Sequence, residues 1–93
     1  MDARQEIQST CEEVLSLLLE KNKAYGNAAL EPLDIFPDLT PVMGLQVRIQ
    51  DKLKRIKNRG LNDETEDTLL DLCGYFILLL IASRQENNVQ RDI

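Results

Sequence analysis

Arg48, Lys52, Arg55 and Arg59 recur at spacings of four, three and four residues, which sets their side chains along one face of a helix. Planar guanidinium groups in such a ladder suit a phosphate or a carboxylate. Asp51 follows Arg48 by three residues and precedes Arg55 by four, so it reaches both and is expected to orient the two arginines. The alternative is a solvated face tied together by pairs within the helix. Lys21, Lys23 and Tyr25 end the preceding helical segment and add donors and a stacking ring wherever the two helices meet; burial of the Tyr25 ring is the competing expectation. Glu64, Asp67 and Asp71, spaced three and four apart, are the candidate metal ligands, as carboxylates on one helix face can hold Mg²⁺. Asp71 is flanked by Leu69, Leu70, Leu72 and Cys73, so it is expected near the core, where a carboxylate needs a partner. An Arg or Lys of the helix before it is the expected partner, and a metal the alternative.

These groups are positioned by elements that the apolar spacing outlines. Ile7, Cys11, Val14, Leu15 and Leu18 share a face and predict a first helix from Ala3 to about Lys23. Glu6, Glu13 and Glu20 form a solvated edge. Tyr25-Gly26-Asn27 ends it, and the stretch to Thr40, with Pro32 and Pro37 among Leu30, Leu33, Ile35 and Phe36, is a long connection expected to pack. Thr40-Pro41 reads as a cap with proline at the first helical position, and Val42, Leu45, Ile49, Leu53 and Ile56 give the buried stripe of a second helix. Gly60 suits the position after its end. Asn62 is the expected cap of a third helix, with Asp63, Glu64 and Glu66 in its first turn, running to Arg84 or beyond. Gly74 offers a place for another helix to come close. Tyr75 to Ala82 is apolar all round, more than an amphipathic surface helix requires, so this helix must be covered on several sides. The fold class is therefore all-α, a three-helix antiparallel bundle with a long proline-containing loop between helices one and two, completed by homo-oligomerisation.

With 93 residues the chain holds one domain, residues 1–93, small enough that self-association would help it. No histidine or tryptophan is present, and no P-loop, GxGxxG or nucleophile elbow, so no catalytic residue is assigned. The net charge of -5 conceals a strip of +5 over residues 48–59, which leaves -10 on the remainder. Such a chain repels nonspecific nucleic acid yet can hold a small anion. Cys11 and Cys73 read as two buried thiols of a reducing cytoplasm, and the start of the chain shows no signal-peptide pattern. The uninterrupted apolar run is too short to span a bilayer, so no membrane partner is expected.

Three strings, KNKAYGNAALEPLDIF, VRIQDKLKRI and EDTLLDLCGY, resemble a family of small helical proteins of bacteriophages and prophages close to the nucleotide-modification-associated domain group. The resemblance covers residues 21–80. Its recurrent polar positions fall on Lys21, Asn22, Tyr25, Gly26, Asn27, Arg48, Asp51, Lys52, Arg55, Asp67, Asp71 and Tyr75. Ala24 and Gln50 stand where the family often has an Asp, which weakens a metal-dependent hydrolase reading. The resemblance implies phage origin, hence the cytoplasm of an infected bacterium, and a nucleotide connection. In size and class the chain also looks like the small oligomeric phage proteins that sequester cyclic nucleotide immune signals. The expected function is binding of a phosphate-bearing nucleotide-type ligand without turnover or cofactor, through Lys21, Asn22, Tyr25, Asn27, Arg48, Asp51, Lys52 and Arg55. A Mg²⁺-dependent all-α nucleotide pyrophosphohydrolase is the alternative, although the E-x-x-E half of that site is missing and only Glu64-x-x-Asp67 matches its other half. A phage structural or interaction protein is the second alternative.

Overall fold

A computed structural model describes residues 2–31 and 35–91. Pro32 and Leu33 of the expected loop lie outside them. The protein is all-α, with three helices and, among the described residues, no strand: α1 (Ala3–Tyr25), α2 (Pro41–Arg59) and α3 (Thr68–Arg91), plus a 3₁₀ turn at Ala28–Leu30. Local chemistry sets most helix ends. Asp2 accepts from the Arg4 N–H at 2.9 Å, and Thr40 Oγ1 accepts from the Met43 N–H at 3.2 Å with Pro41 in the first turn. Gly26 and Gly60 end α1 and α2 at φ 63° and 79°, a region that favours glycine. The Gly60 N–H donates to the Ile56 carbonyl at 2.7 Å.

The start of α3 differs from expectation. Asn62 caps nothing; Asp67 does, its carboxylate accepting from the Leu70 N–H at 3.1 Å, and residues 60–67 form a loop. Asp63 folds that loop on itself by accepting from the Thr65 N–H at 2.9 Å. Because Asp63 and Glu66 are drawn to cations of α2, the acidic run that reads as a first helical turn does not become one.

The principal packing is α2 against α3, with α1 lying mainly on α3. Leu18 beside Gly74 and Lys21 beside Asp71 show α1 and α3 running antiparallel. The loop after Gly60 returns the chain antiparallel along α2, so α1 and α2 point the same way. This explains the long connection between them: it must carry the chain back along the bundle, and its 3₁₀ turn packs on α2 and α3 on the way. Ile35 and Phe36, expected to pack, are exposed instead.

The core consists of Val14, Leu45, Ile49, Leu72 and Ala82, with Thr68, whose hydroxyl donates to Glu66 at 3.2 Å. It is smaller than the sequence predicts. Leu53 of the expected α2 stripe is half exposed, and Ile7 and Leu15 of the expected α1 face are exposed. Both cysteines, expected to be buried, are exposed free thiols. Ile7, Cys11 and Leu15 share one reason: α1 meets α3 toward its C-terminal half, so among the described residues nothing covers its apolar face toward the N-terminus. One further correction concerns α3, where Thr68–Asn87 has the length and composition of a bilayer-crossing helix, since scattered polar residues do not lower a window of that length enough. Only a fifth of that window is buried.

Candidate ligand-binding site

A cavity of about 400 Å³ opens where the C-terminal end of α1, the 3₁₀ turn, α2 and α3 converge, within the size range of small-molecule sites. Apolar walls come from Leu17 and Leu18 of α1, Ala28, Ala29 and Leu30 of the turn, and Leu78 of α3. Gly74 forms part of the floor, where a Cβ would lie 3.1 Å from Leu18 Cδ2, so its lack of a side chain is what lets α1 approach.

Polar groups are set into these walls. Lys21, Asn22 and Tyr25 enter at positions i, i+1 and i+4 of the last turns of α1, and Arg48 enters from α2. Lys21 Nζ is 3.6 Å from Asp71 Oδ1, while Asp71 Oδ2 faces Lys52 Nζ at 3.2 Å. Asp71 therefore has its expected partner from α2, Lys52, and a second cation from α1. Arg48 makes no ion pair among the described residues, so Lys21 and Arg48 leave the cavity one positive charge in excess of Asp71. Asn22 Nδ2 donates to the Gly26 carbonyl at 2.8 Å and to Asn27 Oδ1 at 3.1 Å. These bonds hold the turn after α1 and direct the Asn27 amide into the cavity lining. Tyr25 stands at the rim, 75% exposed rather than buried, and Tyr75 is half-buried in the wall. A cationic pair, two amides and two phenol rings on an apolar lining can hold an anionic group at one end and a flat ring at the other.

Five of the eight expected binding residues, Lys21, Asn22, Tyr25, Asn27 and Arg48, line this one cavity. The structure does not bring Asp51, Lys52 and Arg55 to it. Asp51 is exposed and pairs with neither arginine among the described residues. Lys52 Nζ binds Glu66 at 2.9 Å as well as Asp71, and Arg55 binds Asp63, Thr65 and, at 3.0 Å, Glu66. This network clamps the 60–67 loop to α2. Hydrogen bonds from the Thr65 hydroxyl and N–H, then from Arg55, hold the Asp63 carboxyl far below the usual range. The Lys52 hydrogen bond lowers Glu66 in the same way. Desolvation works against the Lys52 ammonium, yet its bonds to Glu66 and Asp71 prevail and raise its pKa.

Glu64, Asp67 and Asp71 do not converge: Glu64 is in the loop, Asp67 caps α3, and Asp71 is held by lysines. Among the described residues no three acidic or thiol groups gather as a metal would require. What the sequence reading missed is the cavity's apolar half. Leu17 and Leu18 beside Lys21 carried a signal, since positions three and four before a polar residue share its face. Ala28–Leu30 carried none, because a 3₁₀ turn has no periodicity to read. Comparison with known protein families, curated proteins and solved structures gives no match to the chain.

Proposed function

We propose that the protein is a phage-type binding protein that holds a phosphate-bearing nucleotide-type ligand, such as a cyclic nucleotide immune signal, without turning it over. The observation that carries this reading is the convergence of Lys21, Arg48, Asn22, Asn27, Tyr25 and Tyr75 on one apolar-walled cavity. Lys21 and Arg48 take the phosphate, with Asp71 fixing the lysine; Asn22 and Asn27 offer amides to a base edge, and a tyrosine ring stacks on its face. The three strings that resemble phage proteins contribute all of these residues. Hydrolysis of a phosphoanhydride in the all-α manner needs several carboxylates around Mg²⁺. Here Asp71, the acidic residue of the cavity lining, is occupied by Lys21 and Lys52, which favours retention over turnover.

The test is incubation with nucleoside triphosphates and cyclic di- and trinucleotides, with Mg²⁺ and then with EDTA. Intact ligand recovered on denaturing the protein, unaffected by EDTA, supports sequestration. Mg²⁺-dependent release of nucleoside monophosphate, abolished in Asp71→Asn, would establish the hydrolase instead. No retention of any of these compounds would leave the cavity without a nucleotide role and favour an interaction protein.

A further inference from the structure

The exposed side of α3 carries no charge from Leu69 to Ser83, because the sole charged residue in that stretch, Asp71, turns inward to Lys21 and Lys52. Leu69, Cys73, Phe76 and Leu80 are exposed along it at spacings of four, three and four, with Ile77 exposed beside them. We infer that this stripe is the seam with a second copy of the chain, in which α3 packs antiparallel on α3 across a two-fold axis between Cys73 and Phe76.

Three observations select that occupant. The four-three-four spacing is the repeat by which one helix meets a like helix knob into hole, and a two-fold seam is complementary to itself. The chain exposes 7566 Å², against about 5,500 Å² for a compact monomer of its mass, and its radius of gyration is 15.2 Å against about 12 Å. That excess of roughly 2,000 Å² exceeds the roughly 800 Å² that each partner gives to a stable interface. Charge then chooses the direction. With Leu69 opposite the partner's Leu80, Arg84 reaches the level of the partner's acidic 63–67 loop; a parallel seam would set the two Arg84 side chains together and the two acidic loops together. A bilayer suits the helix less well. Its inner face is occupied by α2 and the Asp71 ion pairs, and from Leu69 to Ser83 the helix carries no cation to meet anionic lipid.

Light scattering on the wild type at micromolar concentration should give twice the chain mass, and Phe76→Glu should give the monomer mass with helical circular dichroism retained. Direction is read by crosslinking in a Cys11→Ser, Cys73→Ser background. A mixture of Leu69→Cys and Leu80→Cys chains should form a mixed disulfide, whereas each alone should not, since like positions lie about 16 Å apart along the seam. A larger assembly that still gives the mixed crosslink supports the seam. A wild-type monomer, self-crosslinking of Leu69→Cys, an assembly without the mixed crosslink, or partition of the wild type into phosphatidylcholine–phosphatidylglycerol vesicles as a monomer would overturn it. None of these measurements depends on the ligand cavity, so their failure is separable from failure of the binding reading.

Discussion

Arg48 and Arg55 lie seven residues apart on α2 and are alike in the sequence, yet their surroundings separate them. Arg55 is bonded to Asp63, Thr65 and Glu66, while Arg48 faces the cavity with no ion pair among the described residues. Arg48→Ala should therefore weaken nucleotide binding by about 10- to 100-fold, the value of one charge-assisted hydrogen bond, and leave the melting temperature nearly unchanged. Arg55→Ala should do the reverse, lowering the melting temperature while the folded fraction keeps its affinity; titration calorimetry beside thermal melting distinguishes the two outcomes. The same clamp sets the response to acid. Asp63 and Glu66 have pKa values lowered by their partners, so the folded state binds fewer protons than the unfolded state between the two sets of pKa values. Their stabilisation is complete above the ordinary carboxylate range, near pH 5, and declines as pH falls through the folded values. Lys52, raised by the same carboxylates, contributes while they are ionised and loses its part on the alkaline side only in strong alkali. Melting temperature should thus fall between about pH 5 and pH 3, and Asp63→Asn should flatten that slope. An unchanged slope in the variant would show that the clamp does not govern acid stability.

Among the elements, Gly74 couples fold to site, since a Cβ there would press on Leu18 and both residues line the cavity. Gly74→Leu should push α1 off α3 at a cost of about 1 to 3 kcal/mol for overpacking, leaving α2 and α3 together. Hydrogen exchange should then accelerate over residues 3–25 while residues 45–56 stay protected, and ligand retention should disappear; uniform acceleration would mean that the three helices fold as one unit. The caps at Thr40 and Gly60 were legible in the sequence because capping involves only a few consecutive residues. The start of α3 was not. Asp63 and Glu66 look like ordinary first-turn acids until Arg55 and Lys52, eight and fourteen residues earlier, are brought beside them. Site residues followed the same division. Lys21, Asn22 and Tyr25 share a local helical face, whereas the removal of Lys52 and Arg55 from the site depends on a contact between elements that spacing along one helix does not encode.

At the scale of the whole molecule, the misread residues point the same way. Ile7, Cys11 and Leu15 have the periodicity of a buried face, and Leu69, Cys73, Phe76 and Leu80 that of a seam, but the described residues of one chain supply nothing to cover them. Periodicity reports that a face is apolar; it does not report which surface meets it. If that surface is another copy, folding and association are linked, and stability must depend on concentration. Each tenfold rise in protein adds about 1.4 kcal/mol to the stability of a dimer. Spread over an unfolding entropy of roughly 0.4 kcal/mol/K for two such chains, that raises the melting temperature by about 3 to 4 °C per decade. Wild-type protein should show this slope across the micromolar range, and Phe76→Glu should melt lower and at a temperature independent of concentration. A flat wild-type profile would mean that the exposed stripe of α3 contributes nothing to folding, and that the small core of Val14, Leu45, Ile49, Leu72 and Ala82 is enough to hold the chain alone.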